Sequence, residues 1–435
     1  MSLRHHSVPK HVFDALAVGG GGAVAVGELA SAQFSKVMLL LRGVLATAQA
    51  FGHEQVELAR RGYDLLAAAQ RHDPAAANAV IGHPSVGAWA LRTMRGLRGD
   101  PAIPGAEPAG LCAVAAAAAI RAGLPMNIGV RAIGEGVMLP SLGAAIVGGG
   151  NAVVRSAASD TEVASDARRV TLPRDPHQDA PGWHALRCIR AGSLEILIDD
   201  LDPFRMPAAT NTTTRLHAVE VDNWAAVFQE AWPLLEQHHP VIAEEVAAAI
   251  TVVVPLASST HGQISSSSSE NFGAIALSEP PDACTLAATL AHEVQHLKLS
   301  GLLDIVTLTL PDDERRFYAP WRGDPRPISG LLQGAYAYLG VSGFWRRQRR
   351  LEEGAAGIRA HAEFARWRAG AALVVETLRS SGHLTPAGLD FVHGMARTLR
   401  TWQDEPVPEE ALALAREEAD DHLARWRSKN GPVQV

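Results

Sequence analysis

Cysteine is scarce in this chain, with three in 435 residues, at positions 112, 188 and 284. An odd number so widely spaced builds neither a disulfide framework nor a CxxC zinc site. It suits a reducing cytoplasm in which all three are buried as small apolar residues. Basic charge is also in deficit: 39 Lys and Arg against 46 Asp and Glu leave a net charge of −7. That balance argues against a general nucleic-acid partner. The one local cluster, Arg346, Arg347, Arg349 and Arg350, reads as a solvated helix face or helix end. Met1 to Pro9 is polar and has no signal-peptide core. The apolar stretch Leu111 to Ala122 is too short to span a bilayer and is interrupted by Arg121. A soluble cytoplasmic protein with no membrane partner is expected. No internal repeat of fixed period is present.

Along the chain the pattern changes twice. Residues 10 to 125 read as helical, with Gly19–Gly22 a break between helices. That glycine run lacks the Lys-Ser/Thr ending and the preceding strand of a phosphate loop. From 126 to about 206, short β-like runs separated by Gly and Pro suggest a meandering antiparallel sheet. They are 127–133, 152–155, 168–173, 183–189 and 193–198. Helical spacing returns at Val219 to Gln237 and at Pro240 to Ile250. A strand at 250–255, a Ser-rich loop at 258–269 and a strand at 272–277 follow. After Arg326 the chain reads as helix nearly to its end. The regions are therefore 1–125, helical; 126–215, β-rich; and 216–435, helix-dominated. The fold class is α+β, without the regular run of short strands a double-stranded β-helix requires.

Between the strand at 272–277 and the late helices lies His292-Glu293-Val294-Gln295-His296. Four residues are a little over one helical turn, so the two imidazoles project from one face about 40° apart and can grip one ion. Asp282 can cap the helix, and Ala283 to Leu299 contains no Pro or Gly. Leu286, Leu290, Val294 and Leu297 form the core-facing stripe, which leaves His292 and His296 facing a cleft beside Ala288. Two histidines are not a complete site. Asp304 follows Gly301 closely, but on a continuous helix it would stand roughly 12 Å along the axis from His296, so it requires a break at Gly301. Glu363, His361, His383, His393 and His422 are further candidates. With Zn(II), Glu293 is the general base that activates a metal-bound water for peptide hydrolysis. With Fe(II), two histidines and a third ligand leave room for a 2-oxoacid and O2. Spacing alone does not separate the two.

The motif is joined to three other segments. They are Tyr318-Ala319-Pro320-Trp321-Arg322-Gly323-Asp324-Pro325-Arg326-Pro327, then Gly330-Leu331-Leu332-Gln333-Gly334-Ala335-Tyr336-Ala337, and Asp421-His422-Leu423-Ala424-Arg425-Trp426-Arg427. Together these resemble the HExxH-motif peptide-modification proteins of bacterial ribosomal-peptide natural-product clusters, the α-ketoglutarate-dependent HExxH-type peptide β-hydroxylases. The resemblance covers roughly 215 to 430. It implies a non-haem Fe(II) dioxygenase that uses α-ketoglutarate and O2 to hydroxylate a side-chain Cβ of a precursor peptide. On it, His422 becomes the favoured third metal ligand, ahead of Asp304 and Glu363. Arg322 and Arg326 become the cationic partners of the distal carboxylate of α-ketoglutarate. Tyr318 and Trp321 would line the same pocket. Glu293 would give up its role as base and act from behind the metal ligands. The alternatives are a zinc metallopeptidase using Glu293, and a non-catalytic scaffold that binds a leader peptide. In each case the sheet region could hold a peptide by strand addition.

Overall fold

The computed structural model describes residues 6–103, 105–157, 160–207, 210–257 and 263–432. The first five residues of the polar N-terminal segment, and 258–262 of the Ser-rich loop, lie outside them. Six helices come first: α1 (Lys10–Ala17), α2 (Gly22–Ala50), α3 (Val56–His72), α4 (Pro74–Ile81), α5 (Pro84–Leu97) and α6 (Gly110–Arg121). α4 and α5 each start on a proline, where the missing N–H removes no helical bond. Asp73 caps α4 by accepting the Ala76 N–H at 3.0 Å. Leu111 to Ala119 of α6 are buried except for Ala113, so the short apolar stretch is a core helix. Its many alanines let β1 and α3 approach its backbone closely.

Nine strands follow: β1 (Met126–Arg131), β2 (Gly136–Leu139), β3 (Gly143–Ile146), β4 (Asn151–Ala157), β5 (Asp160–Ala164), β6 (Arg169–Thr171), β7 (Trp183–Ala185), β8 (Arg187–Ala191) and β9 (Leu194–Ile198). Then come α7 (Ala218–His238), α8 (Pro240–Ala249), β10 (Val252–Pro255), β11 (Ser265–Ser267) and β12 (Ala274–Leu277). The chain closes with α9 (Ala283–Leu303), α10 (Ile328–Gln348), α11 (Gly354–Ser380), α12 (Pro386–Gln403) and α13 (Glu409–Asn430). This is an α+β protein with helical ends, and the described residues form no closed barrel.

The single meander expected from 126 to 206 is instead divided among three sheets. Two are antiparallel, in the orders β1-β4-β5-β6 and β2-β3-β7. The third, β11-β12-β10-β9-β8, is mixed, because β10 pairs parallel with both β9 and β12. The reason is visible in Val252 to Pro255 and Ala274 to Leu277. All eight residues are buried, the near-continuous apolar pattern of strands covered on both faces. Part of the Ser-rich loop is itself a strand, β11, whose edge position suits serine.

By internal contacts the chain forms two compact units. One comprises residues 1–32, 227–249 and 280–435; the other comprises 33–226 and 250–279. These cut across the three regions of element type, and α2 and α7 each contribute to both. In the first unit α10 packs on α9 and α11, and α11 on α12 and α13. In the second, α6 and the strands enclose one large apolar core. Of the cysteines only Cys112 is fully buried; Cys188 and Cys284 are partly exposed. One helix among those described, α2, is long and apolar enough to cross a membrane, and a third of its most apolar window is buried. Glu28, Lys36 and Arg42 interrupt it, so it does not stand out as an apolar run.

Candidate metal centre

Helix α9 starts where the sequence predicts. Asp282 Oδ1 accepts the Thr285 N–H at 2.8 Å, satisfying one of the free donors of the first turn. Leu286, Leu290, Val294 and Leu297 are each at most 1% exposed. The helix does not break at Gly301; it runs to Leu303, and Asp304 is its C-cap. Leu299 and Leu302, both fully buried, hold that last turn in helical register. Asp304 therefore does not reach the histidines as a ligand.

A second face of α9 carries buried charge. Lys298 Nζ donates to Glu245 Oε1 at 2.8 Å, with both side chains 1% exposed. Glu245 Oε1 also accepts the Gly22 N–H at 3.1 Å, and the Gly19 carbonyl accepts from Gln295 Nε2 at 2.9 Å and from Lys298 at 3.3 Å. Gly19, Gly21 and Gly22 have φ of +86°, +118° and +58°, conformations that L-residues with side chains rarely adopt. The glycine run thus turns a carbonyl and an N–H onto a buried ion pair, the opposite of an all-donor phosphate cradle. The Tyr336 hydroxyl donates to the Leu16 carbonyl at 2.8 Å beside the same pair.

The third face holds the histidines. His292 Nε2 and His296 Nε2 lie 3.1 Å apart. With metal–nitrogen bonds of about 2.0–2.1 Å, two donors at that spacing subtend about 100° at an ion, between octahedral and tetrahedral angles. His296 Nδ1 donates to Gln333 Oε1 at 3.1 Å, which fixes the ring and leaves Nε2 as the ligating atom. Burial, and secondarily the charge of His296, hold the His292 pKa well below its ordinary value. Its imidazole is therefore neutral, the form that binds a metal. Glu293 is 1% exposed, its Oε1 is 3.9 Å from His292 Nε2, and its Oε2 is buried without a hydrogen-bond partner. The donor set and the unsatisfied oxygen suit a cation.

The histidine pair stands against an aromatic wall. The Tyr338 ring lies 5.1 Å from His292, stacks on Trp321 at 4.5 Å and meets Trp367 at 4.4 Å. Burial lifts the Tyr338 phenol to about 12. Trp321 reaches this position because residue 334 is glycine; a Cβ there would stand 2.3 Å from Trp321 Nε1. Trp321 therefore belongs to the wall.

Several other expected residues are engaged elsewhere. No group of three His, Cys, Asp or Glu suited to a metal forms among the described residues. His422 Nδ1 and the Tyr318 hydroxyl are hydrogen-bonded at 2.9 Å, so these two form a pair of their own, flanked by Trp426. Burial, then Arg366 and Arg425, lower the pKa of His422. Glu363 is tied to Arg359 and to Trp367 Nε1. His361 contacts Arg349, and His383 Nε2 lies 2.9 Å from Asp313. Arg322 and Arg326 both bind Asp324, at 3.0 and 3.1 Å, inside a loop closed by the Phe317–Arg326 backbone bridge. An acid two residues from each arginine captures both, and no free bidentate clamp results. Arg346, Arg347, Arg349 and Arg350 stand at the C-terminal end of α10, the helix end expected, and Glu405 gathers three of them, with Arg349 only 4% exposed.

Gln333, Tyr338 and Trp367 are the site residues that spacing did not single out, and Arg366 stands behind Trp367. Arg366 lies 4.4 Å from the centre of the Trp367 ring, binds Glu418 at 2.6 Å and lines a cavity of about 300 Å3 together with Tyr318. Nothing distinguishes it in sequence from Arg359 or Arg368 on the same helix. Gln333 lies within a segment that carries the family resemblance, and that was the available signal. Gln333→Leu is expected to weaken metal affinity by about 10–100-fold. A Co(II) absorbance titration reads this, and unchanged affinity would remove Gln333 from the site. The chain matches no protein-family model and no curated protein.

Proposed function

We propose that the chain is a cytoplasmic Fe(II)- and α-ketoglutarate-dependent dioxygenase that hydroxylates a Cβ of a ribosomally made precursor peptide. The convergence of His292 Nε2 and His296 Nε2 to 3.1 Å, with Gln333 behind His296, is the observation that carries a metal enzyme. The resemblance of 215–430 to the HExxH-type hydroxylases carries the choice of iron. Bound Fe(II) supplies the redox chemistry that couples oxidative decarboxylation of α-ketoglutarate to oxygen insertion. The residues of this chain orient the ligands, keep His292 neutral and exclude water with Tyr338, Trp321 and Trp367.

One observation favours the zinc metallopeptidase. Glu293 Oε2, buried and unpartnered next to His292, is where a general base would be needed. Incubation with Fe(II), α-ketoglutarate, O2 and the precursor peptide separates the two. Succinate equal in amount to oxygenated, full-length peptide is expected. A shortened peptide without succinate would establish the peptidase, and peptide binding with unchanged mass would leave only the scaffold.

A further inference from the structure

The second unit contains a cavity of about 350 Å3 that shares no residue with the histidine site. Its walls are apolar, including Trp89, Val114, Ile133, Met138 and Phe204, and the space suits a substituted ring. Its floor is polar: Ser85 and Asp202 are each 2% exposed. Ser85 hydrogen-bonds the Asp202 side chain, and on its other side Ser85 Oγ lies 2.8 Å from His83 Nδ1. His83 contributes no charge, because burial drives its pKa down to about 3.

Among the described residues no ion pair reaches either carboxyl of the floor, Asp199 or Asp202. Asp199, fully buried, stands beside Asp202 with its Oδ2 unpartnered. Asp199 Oδ1 accepts the N–H groups of Leu201 and Asp202, and Asp202 Oδ1 accepts that of Phe204. Arg205 and Arg92 both act on Asp202 through space, but Arg205 donates to the Asp202 carbonyl at 2.7 Å, not to a carboxylate. Arg92 is committed to Glu270, and Arg187 and Arg215 to Asp200. At the rim Arg131 offsets Glu107 at 3.9 Å. Burial pushes both floor carboxyls up, Asp199 to about 7, as expected of acids without a cation in contact.

We propose that this cavity binds a small apolar amine, with its hydrocarbon body against Trp89 and Phe204 and its ammonium on Asp202. A ligand of that class supplies the cation the floor lacks while displacing water from an apolar wall. The inference does not depend on the metal chemistry, and metal-free protein tests it.

The probe is 2-phenylethylamine, titrated calorimetrically into the full-length chain beside its neutral isostere 2-phenylethanol. The amine is expected to bind at least ten times more tightly than the alcohol. Asp202→Asn keeps an acceptor for the Phe204 N–H and for Ser85, and should cost the amine about tenfold while leaving the alcohol unchanged. Ala113→Leu, which fills the cavity from α6, should abolish binding of both and serves where Asp202→Asn fails to fold. Equal affinity for the two probes, no binding of either, or amine binding that survives Ala113→Leu would overturn the proposal.

Discussion

His296→Ala is expected to leave the chain unable to retain a divalent metal, with affinity reduced by more than the roughly 100-fold upper effect of losing an outer partner such as Gln333. His296 is one of two imidazoles that converge, and no cluster of three His, Cys, Asp or Glu exists among the described residues to compensate. Metal analysis after dialysis, with Co(II) absorbance as a second readout, checks the result. The fold should be unaffected, since the stripe Leu286, Leu290, Val294 and Leu297 that docks α9 is untouched. The same variant should raise the pKa of His292, because the charge of His296 is one of the two causes that lower it. An NMR titration reads that shift. Full metal retention by His296→Ala would place the metal site elsewhere and remove the basis for the hydroxylase and the peptidase alike.

Lys298→Met should be the most destabilising single change on α9, by about 3–5 kcal/mol, because it strands a buried Glu245 carboxylate. Burial lowers the Lys298 pKa and Glu245 raises it, so the ammonium survives only through its partner. Urea unfolding measures the loss. The double variant Lys298→Met/Glu245→Leu should recover most of it, since removing both charges removes the desolvation cost along with the attraction. A single variant as stable as the parent would show the pair to be dispensable. Tm should fall in parallel, whereas Co(II) binding by the surviving folded fraction should not.

Helix α9 shows what spacing reveals and where it fails. The Asp282 cap, the apolar stripe and the paired histidines are local consequences of a 3.6-residue period, and each stands where that period put it. Gln295 and Lys298 look solvent-facing by the same period, yet they are buried at 3% and 1% because Glu245 and the Gly19 carbonyl, distant in sequence, receive them. The Gly301 break failed for a related reason: tertiary burial of Leu299 and Leu302 outweighs the modest helix penalty of one glycine. His422, Arg322 and Arg326 could be named from segments but not positioned. Their partners Tyr318 and Asp324 are ordinary polar residues whose geometry decides the outcome. In the sheets, alternation identified β1, β4 and β9 as strands, but which strand neighbours which is a long-range choice that alternation does not encode.

The 3.1 Å contact between the histidines has a consequence for how a cation enters. His296 Nδ1 faces the Gln333 carbonyl oxygen, so its Nε2 is the nitrogen turned to His292. A proton on either Nε2 would stand where an ion shared by both must sit. Protons and a cation therefore compete for the same nitrogen atoms. Co(II) affinity at this pair is expected to fall as the solution is acidified, with proton release accompanying uptake.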